Sequence, residues 1–299
     1  MRVRDHGFIL IVVIWFAALF ALAATVFTRA MDVHVRSTRN DIDLARAEFL
    51  ADGAVSLALS DLLVDRSITP GVARFAADGS IAHCTIKDDA AVLISIQDMG
   101  GLVNLNMASE ELMEALFSGL GASAESAQRA AASIIDYRDS DDQLSPNGAE
   151  RAEYAEAGRP NGPKNGPLDT IEEVSQVAGI DTALSQRAME YLTVVSGIGG
   201  IDSGAAPQAL AALLAQDASN LSISSAKVPA EFAGVSTRRT FRLRTEAAAG
   251  DAAFVREVTV ELPVSRGGAP KFLNWQRGVA RMLPPETADQ PSPCLKASQ

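Results

Sequence analysis

The densest run of side chains able to do chemistry is Asp136-Tyr137-Arg138-Asp139-Ser140-Asp141-Asp142, followed by Asn147-Gly148-Ala149-Glu150 and then Glu153-Tyr154. Closely spaced carboxylates on a loop could gather the roughly six to eight oxygens that a hard cation takes. They could also imitate an acid–base pair. The spacing is not that of an EF-hand, because no D-x-D-x-D-G loop with a glutamate at its twelfth position is present. No aromatic or apolar pocket is recognisable around the acids. Nor does the chain carry a G-x-S-x-G elbow, a Walker loop or H-E-x-x-H. His6, His34 and His83 are isolated from one another and do not stand at zinc-ligand spacing from Cys84 or Cys294. An enzyme is therefore not expected, and the acidic segment reads either as a solvated loop or as a cation site.

The elements that must position this segment are short helices. Ser109 is placed to cap a helix through Leu116, with Glu110, Glu111 and Glu114 near its positive end. A second helix is expected from Ala124 to Tyr137, delivering the acidic run at its C-terminus. Thr170 and Glu173 have capping-box spacing, three residues after Pro167. A further helix is expected from Ala183 to Tyr191. A weak repeat frames the unit: Gly101, Val103, Asn104, Ala108, Leu112 and Leu116 correspond at constant offset to Gly199, Ile201, Asp202, Ala206, Leu210 and Leu214. The shared content is a short strand or turn, a polar cap and a helix, with asparagines such as Asn104 as turn and cap formers.

Charge marks the same unit. From Asp98 to Ser196 there are 17 acidic and 6 basic residues, a balance of −11 that equals the formal charge of the whole chain. Phosphate binding needs Lys and Arg, and this block has only Arg129, Arg138, Arg151, Arg159, Lys164 and Arg187. Nucleic acid is therefore not expected as a partner. A membrane-anchored helix-hairpin-helix DNA-binding protein of competence type, suggested by Gly turns such as Val177-Ala178-Gly179-Ile180, is the alternative reading.

The N-terminal region fixes the address. After Arg2, Arg4, Asp5 and His6, twenty positions from Phe8 to Phe27 carry no ionisable side chain. As a helix they would extend about 30 Å, the thickness of a bilayer core. A secretory signal cut after Ala21-Leu22-Ala23 competes with this reading, although the apolar run continues through Ala24, Val26 and Phe27. Arg29, Arg36 and Arg39 lie close to the far end, so the positive-inside rule favours neither orientation. Ile42, Ala45, Phe49, Leu50, Ala54, Leu57, Leu59, Leu62 and Leu63 continue at helical spacings, and the helix is expected to run to about Asp65.

Strand patterns flank the helical block. Ser80–Lys87 and Ala90–Gln97 precede it; Thr240–Thr245 and Phe254–Leu262 follow it around the turn-prone Gly250-Asp251; Lys271–Gln276 suggests an edge strand. The expected fold class is α+β, with a long N-terminal helix and an antiparallel sheet interrupted by an inserted all-α domain. The divisions are 1–7 as leader, 8–66 as membrane-spanning and stem helix, 67–97 and 220–276 as β region, 98–219 as insertion, and 277–299 as a Pro-rich disordered tail. Cys84 and Cys294 could pair in an oxidising compartment; a buried thiol at Cys84 is the alternative, since it shares a strand face with Ala82 and Ile86.

A short charged leader ending at Gly7, then Phe8 and an unbroken apolar helix, resembles the prepilin signal of type IV pilins and type II secretion pseudopilins. The resemblance implies that a prepilin peptidase cuts between Gly7 and Phe8 and that the apolar helix stays as anchor and assembly stem. Most such proteins have Glu at the fifth position after the cut; here it is Val12. That Glu neutralises a neighbour's new α-amino group inside lipid, where an unpaired charge costs several kcal/mol or more. A subunit without it suits a filament tip, and in this the chain resembles the general secretion pathway protein K family of minor pseudopilins.

Asn104-Leu105-Asn106 is similar to the first N-x-N-T-A stretch of that family, whereas Asp202-Ser203-Gly204 departs from the second. The acidic segment resembles its D-x-D, G-A-E and Tyr elements, and Asn165-Gly166-Pro167-Leu168 through Glu173-Val174 and Gly179-Ile180 is similar as well. The resemblance implies a calcium-binding helical domain with Asp136, Asp139, Asp141, Asp142, Glu150 and Glu153 as candidate ligands. It further implies a single-pass protein of the bacterial inner membrane with its globular part in the periplasm, no catalytic turnover, and a role in capping or nucleating the pseudopilus tip. The implied partners are other minor pseudopilins, the prepilin peptidase and the inner-membrane assembly platform.

Overall fold

A computed structural model of the chain describes residues 6–67, 73–86, 90–159, 161–215, 226–265 and 267–279. Helix α1 runs His6–Ser67, 62 residues or about 93 Å. Its first half keeps large apolar side chains such as Trp15 (68% exposed) and Phe20 (73%) out of any protein contact, and it is the one helix among the described residues long and apolar enough to cross a membrane. Burial starts at Ala47 and continues through Ala51, Ala54, Val55, Ala58 and Leu62, a stripe at helical spacing. The stripe facing the sheet is thus mostly alanine, and short side chains let the helix approach closely. Ile42 and Phe49, equally well spaced, point to solvent.

The sheet under this stripe has five strands: β1 (Asp78–Ile86), β2 (Ala90–Asp98), β7 (Thr240–Ala249), β8 (Ala252–Glu261) and β9 (Lys271–Arg277). They lie side by side in that order, all antiparallel. Val92, Ile94 and Ile96 of β2, Phe241, Leu243 and Ala247 of β7, and Phe254, Val258 and Val260 of β8 close one core against α1. The β7–β8 turn is two residues, Gly250-Asp251, with Ala249 opposite Ala252. Glycine comes first at φ +56°, the position at which such a hairpin turn needs a left-handed residue. A Cβ there would also sit 2.3 Å from the Asp43 carboxylate on α1. Arg256 ties helix to sheet, donating to Asp52 Oδ1 (2.6 Å) and Glu48 Oε1 (2.7 Å) while lying over the Phe254 and Trp275 rings.

Strands β2 and β7 are neighbours in the sheet although the whole helical unit lies between them in the chain, as expected for an insertion. The unit comprises β3 (Val103–Asn104), α2 (Glu110–Gly119), α3 (Ala124–Arg138), α4 (Arg151–Glu156), α5 (Thr182–Ala188), β4 (Leu192–Thr193), β5 (Ile201–Asp202), α6 (Gln208–Leu214) and β6 (Ala233–Gly234), with a 3-10 turn at Ile171–Gln176. Ser109 Oγ accepts from Leu112 N, as its position predicts, and the helix runs past Leu116 to Gly119. The stretch Ala183–Tyr191 is not one helix: α5 gives way at Met189 to a 3-10 turn.

The repeat is structural. Strands β3 and β5 each make a two-residue parallel bridge, with β4 and β6 respectively, and each precedes a helix. The equivalent leucines, Leu112 with Leu210 and Leu116 with Leu214, are all buried in one core. That core also takes in Ala226 and Val228, with Phe232 packed against it, so the helical unit's packing extends past residue 219. A polar clasp joins unit to sheet: Gln97 Nε2 donates to Ala205 O (2.9 Å), and Asp98 accepts from Gly100 N (2.9 Å) and Ser236 Oγ (2.8 Å).

Candidate functional site

Helix α3 carries Asp136 on its last turn, completely buried, and releases the chain at Asp139. Oδ2 of Asp136 accepts from Ser145 N at 3.3 Å, and Oδ1 is buried with no hydrogen-bond partner. The loop returns through Asn147 in left-handed conformation (φ 66°) to Glu150, 5% exposed, whose carboxylate faces the Glu153 backbone in a capping box at the start of α4, with both oxygens buried and short of a full hydrogen bond. Asp139 Oδ1 is in the same condition. So is the amide oxygen of Asn165, a residue at φ 50° whose Nδ2 donates to Asp141 O (3.0 Å) and Asp142 Oδ1 (2.9 Å).

These acids repel one another. Burial, then the nearby charges of Asp136, Asp139, Asp142 and Asp141, push the Glu150 carboxyl up to about 7. Burial followed by Asp141 and Asp136 raises Asp139 as well. The charge of Arg138 opposes the rise at Asp139, but its guanidinium donates to the carbonyls of Leu105 (2.5 Å) and Ala108 (2.8 Å) and bonds to none of the acids.

The six expected ligands divide into groups. Asp136 and Glu150 are buried and Asp139 is half-buried, and each has at least one buried oxygen without a hydrogen-bond partner. Asp141 and Asp142 form an exposed rim, with Asp141 Oδ1 accepting from Gln143 N (2.9 Å). Glu153 spends one oxygen, Oε2, accepting from Glu150 N (2.9 Å) at the start of α4. Asn165 is not among the six expected ligands; the signal that marks it is an asparagine before glycine, a common left-handed turn residue. Among the described residues no three His, Cys, Asp or Glu side chains draw together into a closed metal set. The unsatisfied oxygens carry more weight here. Buried ionised carboxylates without partners cost several kcal/mol each, and a hard-cation site mixes carboxylate, amide and main-chain oxygens. The donor set therefore fits a hard cation.

Around the site the asparagines are structural. Asn104 Oδ1 accepts from Asn106 N, and its Nδ2 donates to Ser196 Oγ (2.8 Å). Asn106 clamps Leu168 by both its N–H (2.7 Å) and its carbonyl (2.8 Å), which holds the Asn165 loop against the unit. Thr170 and Glu173 form the capping box, with Lys164 bonded to Asp169 (2.6 Å) and Glu173 (2.9 Å). Tyr154, whose hydroxyl accepts from Ala178 N (3.0 Å), is scaffold too. Arg129 bonds Glu125, and Arg159 donates to the carbonyls of Gln176 and Val177. Four of the six basic residues in the acidic block are thus engaged within the protein, which leaves little for a phosphate backbone.

Cys84 is 3% exposed, and there is no free cysteine among the described residues; Cys294 lies outside them. Gly7 and Phe8 lie within α1, and Val12 is on its exposed apolar stretch.

A long helix whose C-terminal part packs on one face of an antiparallel sheet, with an acidic helical unit inserted between adjacent strands, defines an α+β fold of pilin-like type. Residues 93–197 match the family model described as Type II secretion system (T2SS), protein K. The chain is 25% identical over 210 residues to the type II secretion system protein K of Klebsiella pneumoniae, spanning 66% of this chain and 64% of that protein. It is 27% identical over 209 residues to the protein of the same name from Pectobacterium carotovorum subsp. carotovorum, spanning 64% and 63%. The matches thus cover somewhat less than two thirds of these relatives' lengths. In fold it is similar to a chain of the GspK-GspI-GspJ complex from the enterotoxigenic Escherichia coli type 2 secretion system, with TM-score 0.55 and 18% identity over 82% of this chain and all of the other. The similarity to type II secretion system protein K covers, in the family match, most of the second strand and most of the helical unit.

Proposed function

We propose that this chain is a minor pseudopilin of a type II secretion system, which caps or nucleates the pseudopilus tip for export of folded proteins across the outer membrane. The observation that carries the reading is the division of α1. Its N-terminal stretch, through Phe27, carries no ionisable side chain and leaves large apolar ones exposed, and its second half is a stem packed by alanines on its own sheet. That stretch has no other use for its side chains than lipid or neighbouring stems. Val12 offers no carboxylate to a neighbour's freed amine, and the inserted unit is bulk most easily placed where nothing stacks above it.

On this reading a prepilin peptidase removes residues 1–7, the anchor sits in the inner membrane with the globular part in the periplasm, and the assembly platform feeds the subunit into the fibre. The solved neighbour comes from a complex of GspK with GspI and GspJ. By analogy, other minor pseudopilins are the partners here. The subunit has no turnover of its own. Calcium is the resident cation, held by Asp136, Asp139, Glu150 and the Asn165 amide oxygen, with Asp141 and Asp142 at the rim. When bound it cancels the carboxylate repulsion and orders the loop between α3 and α4. Counting copies per fibre tests the role: the number stays constant as fibres lengthen, whereas a count proportional to length would make this a shaft subunit.

A further inference from the structure

Strand β9 closes one side of the sheet: β8 pairs with it, and among the described residues no strand lies beyond it. Each residue from Lys271 to Arg277 is exposed. Such an edge offers a row of main-chain N–H and C=O groups to another chain, and proteins ordinarily shorten it, cover it or guard it with charge. Here aromatic rings stand on it. A bulge sets Phe272 across from Val260 and Trp275 across from Val258, so both rings lie on the face that packs against α1. The stem core takes in residues of β1, β2, β7 and β8 but none of β9. Phe272 and Trp275, edge to face at 5.3 Å, are therefore left 46% and 44% exposed at the rim of that layer.

The charges beside the rings have one sign. Arg239 pairs with Glu261, Arg244 with Glu257, and Arg256 with Glu48 and Asp52. Lys271 and Arg277, at the two ends of β9, have no acid partner among the described residues. Glu261 stands directly across from Lys271 but is taken by Arg239, and Arg277 lies over the Phe254 ring at 4.9 Å. A chain of formal charge −11 thus leaves a cation at each end of its open edge. That arrangement discriminates between partners. A second copy docked antiparallel about Asn274 would set Lys271 against Arg277 twice, a parallel copy would set each against itself, and like charges directly across a ladder repel. A strand with acids at those positions is attracted.

We propose that β9 is the docking edge for an extended acidic segment of another minor pseudopilin, which joins the sheet as a sixth, antiparallel strand. The inference rests on the pseudopilin reading and names the surface through which the subunit meets its partner. Main-chain bonds supply the affinity, and apolar side chains of the added strand cover Phe272 and Trp275. Carboxylates opposite Lys271 and Arg277 set the register and select the partner.

Hydrogen exchange over β9 tests this in the full, detergent-solubilised chain, alone and copurified with the other minor pseudopilins of its own secretion system. We expect the outward amides of β9 to exchange at least about tenfold more slowly in the complex. Lys271→Glu combined with Arg277→Glu should keep the melting temperature, since both side chains are exposed, and weaken the complex by about tenfold or more at low salt. A complex that leaves β9 exchange unchanged, or that the double variant joins equally well, would overturn the docking edge and leave the filament role standing. A chain that joins no other pseudopilin would contradict the filament role itself and take this inference with it. Protection already present in the chain alone would also overturn it, assigning the edge to a second copy if the protection grows with concentration and to the chain itself if it does not.

Discussion

Gly148 lies so close to Asp136 that a Cβ on residue 148 would stand 2.0 Å from Oδ2 of the buried carboxylate. The return loop closes directly on the acid at the end of α3, and no side chain fits between them. Gly148→Ala should therefore open the loop and weaken calcium binding by about tenfold or more, while the fold survives, since most of the helical core and all of the stem core lie away from this loop. Isothermal titration of the purified protein checks this; unchanged affinity would mean that the loop is not part of the site.

Calcium removal should lower the melting temperature. At a hundredfold excess over Kd, binding adds about 2.7 kcal/mol to the native state. Glu150→Gln and Asp136→Asn should lose that calcium response. In chelator, Glu150→Gln should melt above the unaltered protein, because one member of a crowded set of like charges is gone. Identical melts with calcium and chelator would remove the cation from the account.

Burial raises the carboxyl of Asp98 above its ordinary 3.8, against the opposing bonds from Gly100 and Ser236 and the charge of Arg238, with Asp202 adding to the rise. In the window from the ordinary value up to the raised one, the native state holds more protons than the unfolded chain. Stability contributed by this group is therefore greatest at the acid end and falls as pH climbs through the window. Asp98→Asn should flatten that part of the stability–pH curve, measured by denaturant melts across the acidic range. A slope identical to the unaltered protein's would contradict the assignment.

Arg256 joins the stem to the sheet through Asp52 and Glu48 and fills space over Phe254 and Trp275. Arg256→Ala should cost about 1–3 kcal/mol, the lower part of the range for a broken pair because both acids keep partial access to water. The loss should appear in denaturant melts and should fall more on α1 than on the helical unit, which hydrogen exchange resolves by segment.

Local signals in the sequence were enough for elements whose causes are local. Phe8–Phe27 declares its helix by composition, Gly250-Asp251 marks the hairpin because only two residues span it, and Thr170 with Glu173 caps as spaced. What stayed hidden depends on distant partners. The bridges Val103 to Leu192 and Ile201 to Ala233 are two residues long and set by packing. The split at Met189 is likewise a tertiary effect. For the site, the acidic run was visible, but its division was not: one spacing holds Asp136, buried at a helix end, and Asp141, exposed on the loop. Asn165 reaches them only because Asn106 fixes Leu168.

The most direct test of the account is the mass of the N-terminal peptide of protein extracted from membranes. A chain beginning at Phe8, with the apolar half of α1 retained, is the predicted result. A chain beginning at Ala24, or one that still carries residues 1–7, would contradict it.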